Sequence, residues 1–293
     1  MRKGAKPQRP KGDRQLCDAI LYSFTQGKYL NFSPEKCVYR SETGMALLDD
    51  IMTQMQDGTI ESVTIGTHWT GVAAKVDGEL RCGLSSTVSE EHHVHGVADV
   101  PEAGRLHNLA PRELAAYSTS GNPTMSSVGV AAINALLPRN PESWVDRNAE
   151  EVILEHGRGK KVALIGHFPF VPRCREEIAD FNVIEREPRE GDLPAEAAER
   201  VLPESDVVAI TGMTLVNHTL ENLLKLCRPE TLVLVLGPST PLSPVMYDYG
   251  VNMLSGSIVT DLDAVLNTLS QGGNFMQVHR AGVRLVTIEG PEG

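Results

Sequence analysis

No stretch of the 293 residues approaches the ~18 uninterrupted apolar residues that a membrane span needs. The first fourteen residues hold six Lys/Arg and one Asp, but no apolar run follows, which argues against a secretory signal and for a loose, solvated tail over 1–13. Cysteine is scarce: Cys17, Cys37, Cys82, Cys174 and Cys227 are odd in number, widely spaced and never in a C-x-x-C pair. That excludes a disulfide framework or zinc ribbon and points to a reducing cytoplasm. Positive charge is short as well, with a net charge of −11 and the basic tail as its only cluster. Phosphate neutralisation along a nucleic acid requires the opposite. Internal repeats and low-complexity tracts are missing. So are the P-loop, the G-x-S-x-G elbow and the G-x-G-x-x-G turn, which leaves hydrolase and ordinary dinucleotide chemistry without their signatures.

What is present is enough apolar material for real cores, 41% hydrophobic against 22% charged, and a length that suits two domains. Helical spacing runs from Arg14 to Gln26 (Leu16, Ala19, Ile20, Phe24) and again from Met45 to Met55. Ser62–Lys75 and Glu79–Val88 are rich in β-branched residues, and Asp77-Gly78 between them is a tight-hairpin signal. A helix starts near Pro111, and another runs from Pro123 to Leu137 with Asn122 as its cap. Pro138-Arg139-Asn140-Pro141 marks a boundary, so an α+β domain is expected over 14–143 and a second over 144–293.

In that second part strands and helices alternate. Strands read at Lys161–Gly166, Asn182–Glu185, Asp206–Thr211, Thr231–Gly237, Ser257–Val259 and Val283–Glu289. Amphipathic segments read at Cys174–Asp180, Ala195–Val201, Leu215–Cys227, Leu242–Tyr249 and Leu262–Leu269. Continuous apolar strands such as LVLVLG need helices on both faces, which predicts a doubly wound parallel sheet, Rossmann-like in class.

Ligands of such sheets sit at the carboxyl ends of the strands. Three ends there combine glycine with polar or stiffening residues: Gly166-His167-Phe168-Pro169, Thr211-Gly212-Met213-Thr214 and Gly237-Pro238-Ser239-Thr240-Pro241. Thr214 is placed to cap the helix carrying Asn217 and His218, and Ser239 and Thr240 offer hydroxyls between two prolines. Ordinary strand-to-helix turns use the same residue types, so position makes the case rather than composition. Glu185 falls nineteen residues after Gly166, where dinucleotide sheets put an acid on a ribose hydroxyl. His-Phe-Pro-Phe after Gly166 is too bulky for a pyrophosphate cradle, yet Phe168 or Phe170 offers a stacking face for a ring ligand.

In the first part, alternation along "IGTHWTGVAA" places His68 and Thr70 on one strand face and Trp69 on the other; Ser85, Ser86 and Thr87 lie nearby in "GLSSTV". "SEEHHVHG" is the most metal-like segment, because an extended chain projects Glu91, His93 and His95 to one side. Its alternative is a solvated polar loop. Cys174 and Cys227 fall in amphipathic helices, where packing is the ordinary role.

In order, "VALIGHFPF…FNVIERE…GDLP…DVVAITGMTLVNHTLENLL…LVLGPSTPLSP" resembles the C-terminal domain of a prokaryotic family catalogued under heavy-metal chelation, whose function is formally unknown. "IGTHWTGVA", "GLSST" and "VGVAAINALL" resemble its N-terminal partner domain, so the similarity covers about residues 12 to 290. The resemblance implies an enolase N-terminal-like domain packed on a Rossmann-like one, with a cleft between them. Carried over by position, the cleft is lined by Gly166, His167, Glu185, Thr211, Thr214, Asn217, Gly237, Ser239 and Thr240. His68, Thr70 and Ser85–Thr87 would face it from the other side.

The residues are compatible with three functions. The leading one is a cytoplasmic protein that binds a small polar ligand, a metal chelate or metal-chelating metabolite, between two domains. The second is a transferase-like enzyme acting on a heterocyclic or nucleotide-like substrate, with an adenosine-type cofactor. The third is an interaction protein whose cleft a partner fills. A divalent transition metal or an adenosine-type ligand is the expected cofactor, and a homodimer an open expectation.

Overall fold

The computed structural model describes residues 45–89 and 98–290. The expected helix Arg14–Gln26 and the Glu91, His93, His95 trio lie outside them. Helix α1 (Ala46–Thr53) buries Leu47, Leu48 and Ile51, one side of a helical turn. Strands β1 (Thr59–Ile65), β2 (Trp69–Val76) and β3 (Glu79–Ser86) form an antiparallel sheet in that order. The β2–β3 turn is the expected hairpin, with Asp77 at φ 51° and Gly78 at φ 83°. Ser62–Lys75 is not one strand: Gly66-Thr67-His68 turns the chain, so His68 sits exposed in a bend rather than on a strand face.

Helix α2 (Pro111–Ala115) leads to α3 (Pro123–Leu136), whose Asn122 cap accepts from the Met125 N–H at 3.0 Å. Ten of the fourteen α3 residues are buried, because this helix lies between the small sheet and the large one. Helix α4 (Ala149–Gly157) starts with a reciprocal cap between Asn148 and Glu151. Then follow β4 (Lys161–Ile165), α5 (Val171–Glu177), β5 (Asp180–Glu185), the two-residue β6 (Leu193–Pro194), α6 (Ala198–Val201) and β7 (Val207–Thr211). The expected Leu215–Cys227 helix is two helices, α7 (Met213–Val216) and α8 (Leu220–Leu224), broken where His218 takes φ 58°. Strands β8 (Leu232–Leu236) and β9 (Met253–Val259), helices α9 (Leu262–Ser270) and α10 (Phe275–Gly282), and β10 (Val283–Glu289) complete the chain.

The large sheet runs β10-β9-β8-β7-β4-β5-β6, all parallel except β10, which pairs antiparallel with β9. Alternation along its strands decides which layer each side chain enters. Val162, Leu164, Val207, Ala209, Leu234 and Leu236 pack under α4 and α5, while Ala163, Val208, Ile210, Val233 and Val235 face the core containing α3. Both faces are covered, as the apolar strands require. The small sheet is also covered on both sides: Val72, Ala74 and Val76 join the α3 core, and Cys82 and Leu84 meet Val265, Leu269 and Val278 of α9 and α10. The apolar core therefore continues from the first part of the chain into the second.

After β4 the chain steps outward through β5 to β6, then returns to the other side of β4 as β7. Helix α5 goes to one face and α7 to the other, so strand order reverses between β4 and β7 and a crevice opens there.

Candidate functional site

A cavity of about 710 Å³ occupies this crevice. Its floor is the strand ends: Gly166 to Phe170 after β4, Glu185 of β5, Thr211 of β7, and Leu236 to Pro238 after β8. Gly166 and Gly237 take φ of 101° and 104°, a region L side chains rarely adopt, and thereby turn their strands into the loops that edge the cavity. The start of α4 (Asn148 to Glu150) closes one side; Trp69 and Ser86 of the small sheet and Phe275 of α10 form a wall.

Aromatic side chains concentrate here. Three of the four phenylalanines among the described residues line the cavity, joined by one of the two tryptophans. Phe168 and Phe170 stack with centroids 5.2 Å apart and planes 12° from parallel; Trp69 and Phe275 meet at 5.3 Å and 51°. These pairs present flat apolar faces to a guest.

The polar group among them is His167. Its Nδ1 lies 2.8 Å from Oδ2 of Asp192, whose side chain is wholly buried. Asp192 also accepts from Arg175 Nη2 at 2.8 Å and from the Arg189 N–H at 3.1 Å. Burial raises the Asp192 carboxyl, but hydrogen bonds from His167, the Arg189 amide and Arg175 outweigh it and hold the group below the ordinary carboxylate range. An ionised Asp192 can only accept, so the shared proton sits on His167 Nδ1. Nε2 then has no hydrogen-bond partner among the described residues. Glu185 is committed differently, taking the His167 N–H on Oε2 at 3.0 Å and the Arg186 N–H on Oε1 at 2.7 Å. It shapes the loop that carries His167.

Of the described residues singled out by sequence as candidates for the site, Gly166, His167, Phe168, Phe170, Glu185, Thr211, Gly237, Pro238 and Ser86 line this cavity, and the other described candidates do not. Thr214 lies inside α7 rather than at its cap, buried, its hydroxyl donating to the Thr211 carbonyl at 2.6 Å. Asn217 accepts from the Thr219 hydroxyl at 2.6 Å. Ser239 is buried beneath the wall, where its Oγ accepts from the Ser86 N–H at 2.8 Å. Thr240, packed against Gly212, borders a separate cavity of about 280 Å³ with Asn134, Arg139 and Tyr247. Thr70 is buried and bonded to the Thr87 hydroxyl at 2.8 Å, and Ser85 is buried as well.

Sequence reasoning missed Asp192, Phe275 and the start of α4. Asp192 stood within the quoted GDLP segment, but nothing local marks its partner 25 positions earlier. Asn274 and Gln277 form a capping box that announces the helix carrying Phe275.

Nucleophilic and metal-ligating groups are few. Burial pushes the thiols of Cys82 up to about 12 and of Cys174 and Cys227 up to about 11, so none is a thiolate at neutral pH. Among the described residues, no group of three or more His, Cys, Asp or Glu side chains is arranged to hold a metal ion. Asp192 is enclosed, and the carboxylates that line the cavity are already engaged, Glu150 by Arg173 Nη1 at 3.0 Å and each Glu185 oxygen by a main-chain N–H, so the ligating nitrogen left without a partner among the described lining residues is His167 Nε2. That set does not fit a bare metal ion held by protein side chains alone.

The chain is thus a mixed α/β protein with a crevice at the reversal of a mostly parallel sheet, walled by a small antiparallel sheet, the position where open parallel sheets take their ligands. Its family follows from similarity to known proteins. Residues 148–287 match the DUF364 family model and residues 48–137 match DUF4213, both described as "Putative heavy-metal chelation". A DUF364 protein of unknown function from Desulfitobacterium hafniense, solved by crystallography, is 30% identical and superposes with a TM-score of 0.73, covering 84% of this chain and 99% of its own. The chain belongs to the DUF364 family. A second crystal structure from that family, from Pyrococcus horikoshii, shares the fold at 21% identity with a TM-score of 0.71, over 84% of this chain and 99% of its own. An uncharacterized protein of Methanocaldococcus jannaschii is 28% identical over 228 residues, 75% of this chain and 86% of its own.

Proposed function

We propose that this is a cytoplasmic binding protein whose crevice takes a small, planar, polar ligand: a metal chelate or a metal-chelating metabolite. The observation that carries the reading is the concentration of aromatic faces around a cavity of about 710 Å³ with one oriented histidine. The family description supplies the metal, and the absence of a metal-ligating cluster among the described residues favours a metal that arrives already chelated. The Glu91, His93, His95 segment remains a separate candidate for direct metal contact, outside the described residues. No helix among the described residues is long and apolar enough to cross a membrane.

Calorimetric titration with divalent nickel, copper, zinc and cobalt, each alone and with planar nitrogen chelators such as 1,10-phenanthroline, tests the reading. Binding of the chelator or its complexes supports it; silence across the set sinks it. Native mass spectrometry of protein purified without chelators would reveal a resident molecule directly.

The transferase reading rests on Glu185 at the ribose-like position. Its oxygens already serve the His167 and Arg186 amides, which makes it the weaker proposal. Thermal-shift protection by adenosine compounds that disappears in Glu185→Ala would restore it.

A further inference from the structure

Resting on the reading of the crevice as a chelate site, we infer that His167 Nε2 is a protein ligand to the metal of the bound chelate, filling one coordination position that the organic chelator leaves open. Nδ1 is engaged by Asp192 at 2.8 Å, and Asp192 is fixed by Arg175 and the Arg189 amide, so the ring is held rather than free to rotate. The edge opposite Nδ1 carries Nε2, and His167 itself lines the cavity while Asp192 is enclosed behind it. A carboxylate that fixes a histidine ring through one nitrogen is the arrangement that prepares the other nitrogen for a metal.

The surroundings set the stoichiometry. One imidazole cannot retain a divalent transition ion against water, and the described residues add no further ligand set. The remaining positions must therefore come from the guest. The stacked Phe168 and Phe170 stand one and three residues from His167, so a ring system lying on them has its metal within the same loop's reach. Stacking recognises the organic part, and Nε2 distinguishes the metal-loaded form from the empty chelator. Affinity then depends on whether the chelate's metal has an exchangeable position.

The test uses the full chain and three probes: 1,10-phenanthroline, copper(II) chloride, and their 1:1 complex. The quantity compared is the ratio of the affinities for the complex and for free phenanthroline within each variant, which cancels changes in stacking. In the wild type that ratio should be at least tenfold; in His167→Gln it should fall to near one, and in Asp192→Asn it should drop about tenfold, the cost typical of losing a carboxylate behind a metal-bound histidine. Pulsed electron paramagnetic resonance at substoichiometric complex should show coordinated imidazole nitrogen in the wild type and lose it in His167→Gln. An unchanged ratio and an unchanged nitrogen signal in His167→Gln overturn the inference while leaving the crevice a ligand site. Failure of phenanthroline and of the complex to bind any variant overturns the crevice reading together with it.

Discussion

The loops after β4 and β7 look alike in sequence, yet they send their polar side chains to different places. Each follows a strand, and each pairs a glycine with polar or bulky residues and precedes a helix. After β4, Gly166 takes φ 101°, four residues separate it from α5, and His167 and two phenylalanines face the cavity. After β7, Gly212 takes an ordinary φ of −60°, with Thr240 too close to admit a Cβ, and α7 begins at once, so Thr214 turns back onto the Thr211 carbonyl and into the core. The first loop gives the cavity His167, Phe168 and Phe170; the second gives it Thr211 and Met213 but commits Thr214 to packing. Turn chemistry names the residues, but the backbone angle at the glycine and the number of residues before the helix decide where the side chains go.

The sharpest way to break the contrast is Asp192→Ala, which leaves the His167, Arg175 and Arg189 donors without their acceptor. Partly exposed Arg175 regains water, so a loss of roughly 2–3 kcal/mol in urea unfolding is expected, with weaker ligand binding alongside. Gly166→Ala comes next: the new Cβ meets Thr211 at 3.2 Å on a backbone that disfavours it, for about 1–2 kcal/mol. The corresponding test of function is Phe168→Ala or Phe170→Ala. Either should weaken binding of a planar probe by about five- to tenfold, measured by calorimetry, because both side chains are half-buried and stack face to face. Thr214→Val should do the reverse, costing about 1 kcal/mol of stability with probe affinity unchanged. A loss of affinity there would mean that the two loops are less distinct than their geometry indicates. The smallest effect is chemical: Cys82 and Cys174 should resist iodoacetamide in the native protein at pH 8, well below thiol values of about 12 and about 11, and react once unfolded in urea.

Much of the fold is legible one segment at a time. The Asp77-Gly78 hairpin, the Asn122 cap, and the strands ending at Thr211 and Glu289 follow from short-range rules, since a turn or cap is settled by residues a few positions apart. Two of the failures are also local. Gly66 to His68 turned a supposed single strand, and His218 broke a supposed single helix, because apolar spacing on either side masked the interruption. The site was half legible. His167, Phe168 and Glu185 announce themselves at strand ends, but Thr214 and Ser239, equally polar, are consumed by internal hydrogen bonds.

By itself, the sequence determined the alternation of strands and helices, the parallel sheet that this alternation demands, and the ordered set of segments that marks the family. Periodicity and capping act over a few residues, and family likeness needs only order along the chain. Tertiary structure alone decided that Asp192 would stand behind His167, that Phe275 would meet Trp69 across 206 positions of sequence, and that Thr240 would border a different cavity. Those pairings depend on how sheets and helices stack, and a side chain's partner across a packed interface leaves no trace in its own neighbourhood of the sequence.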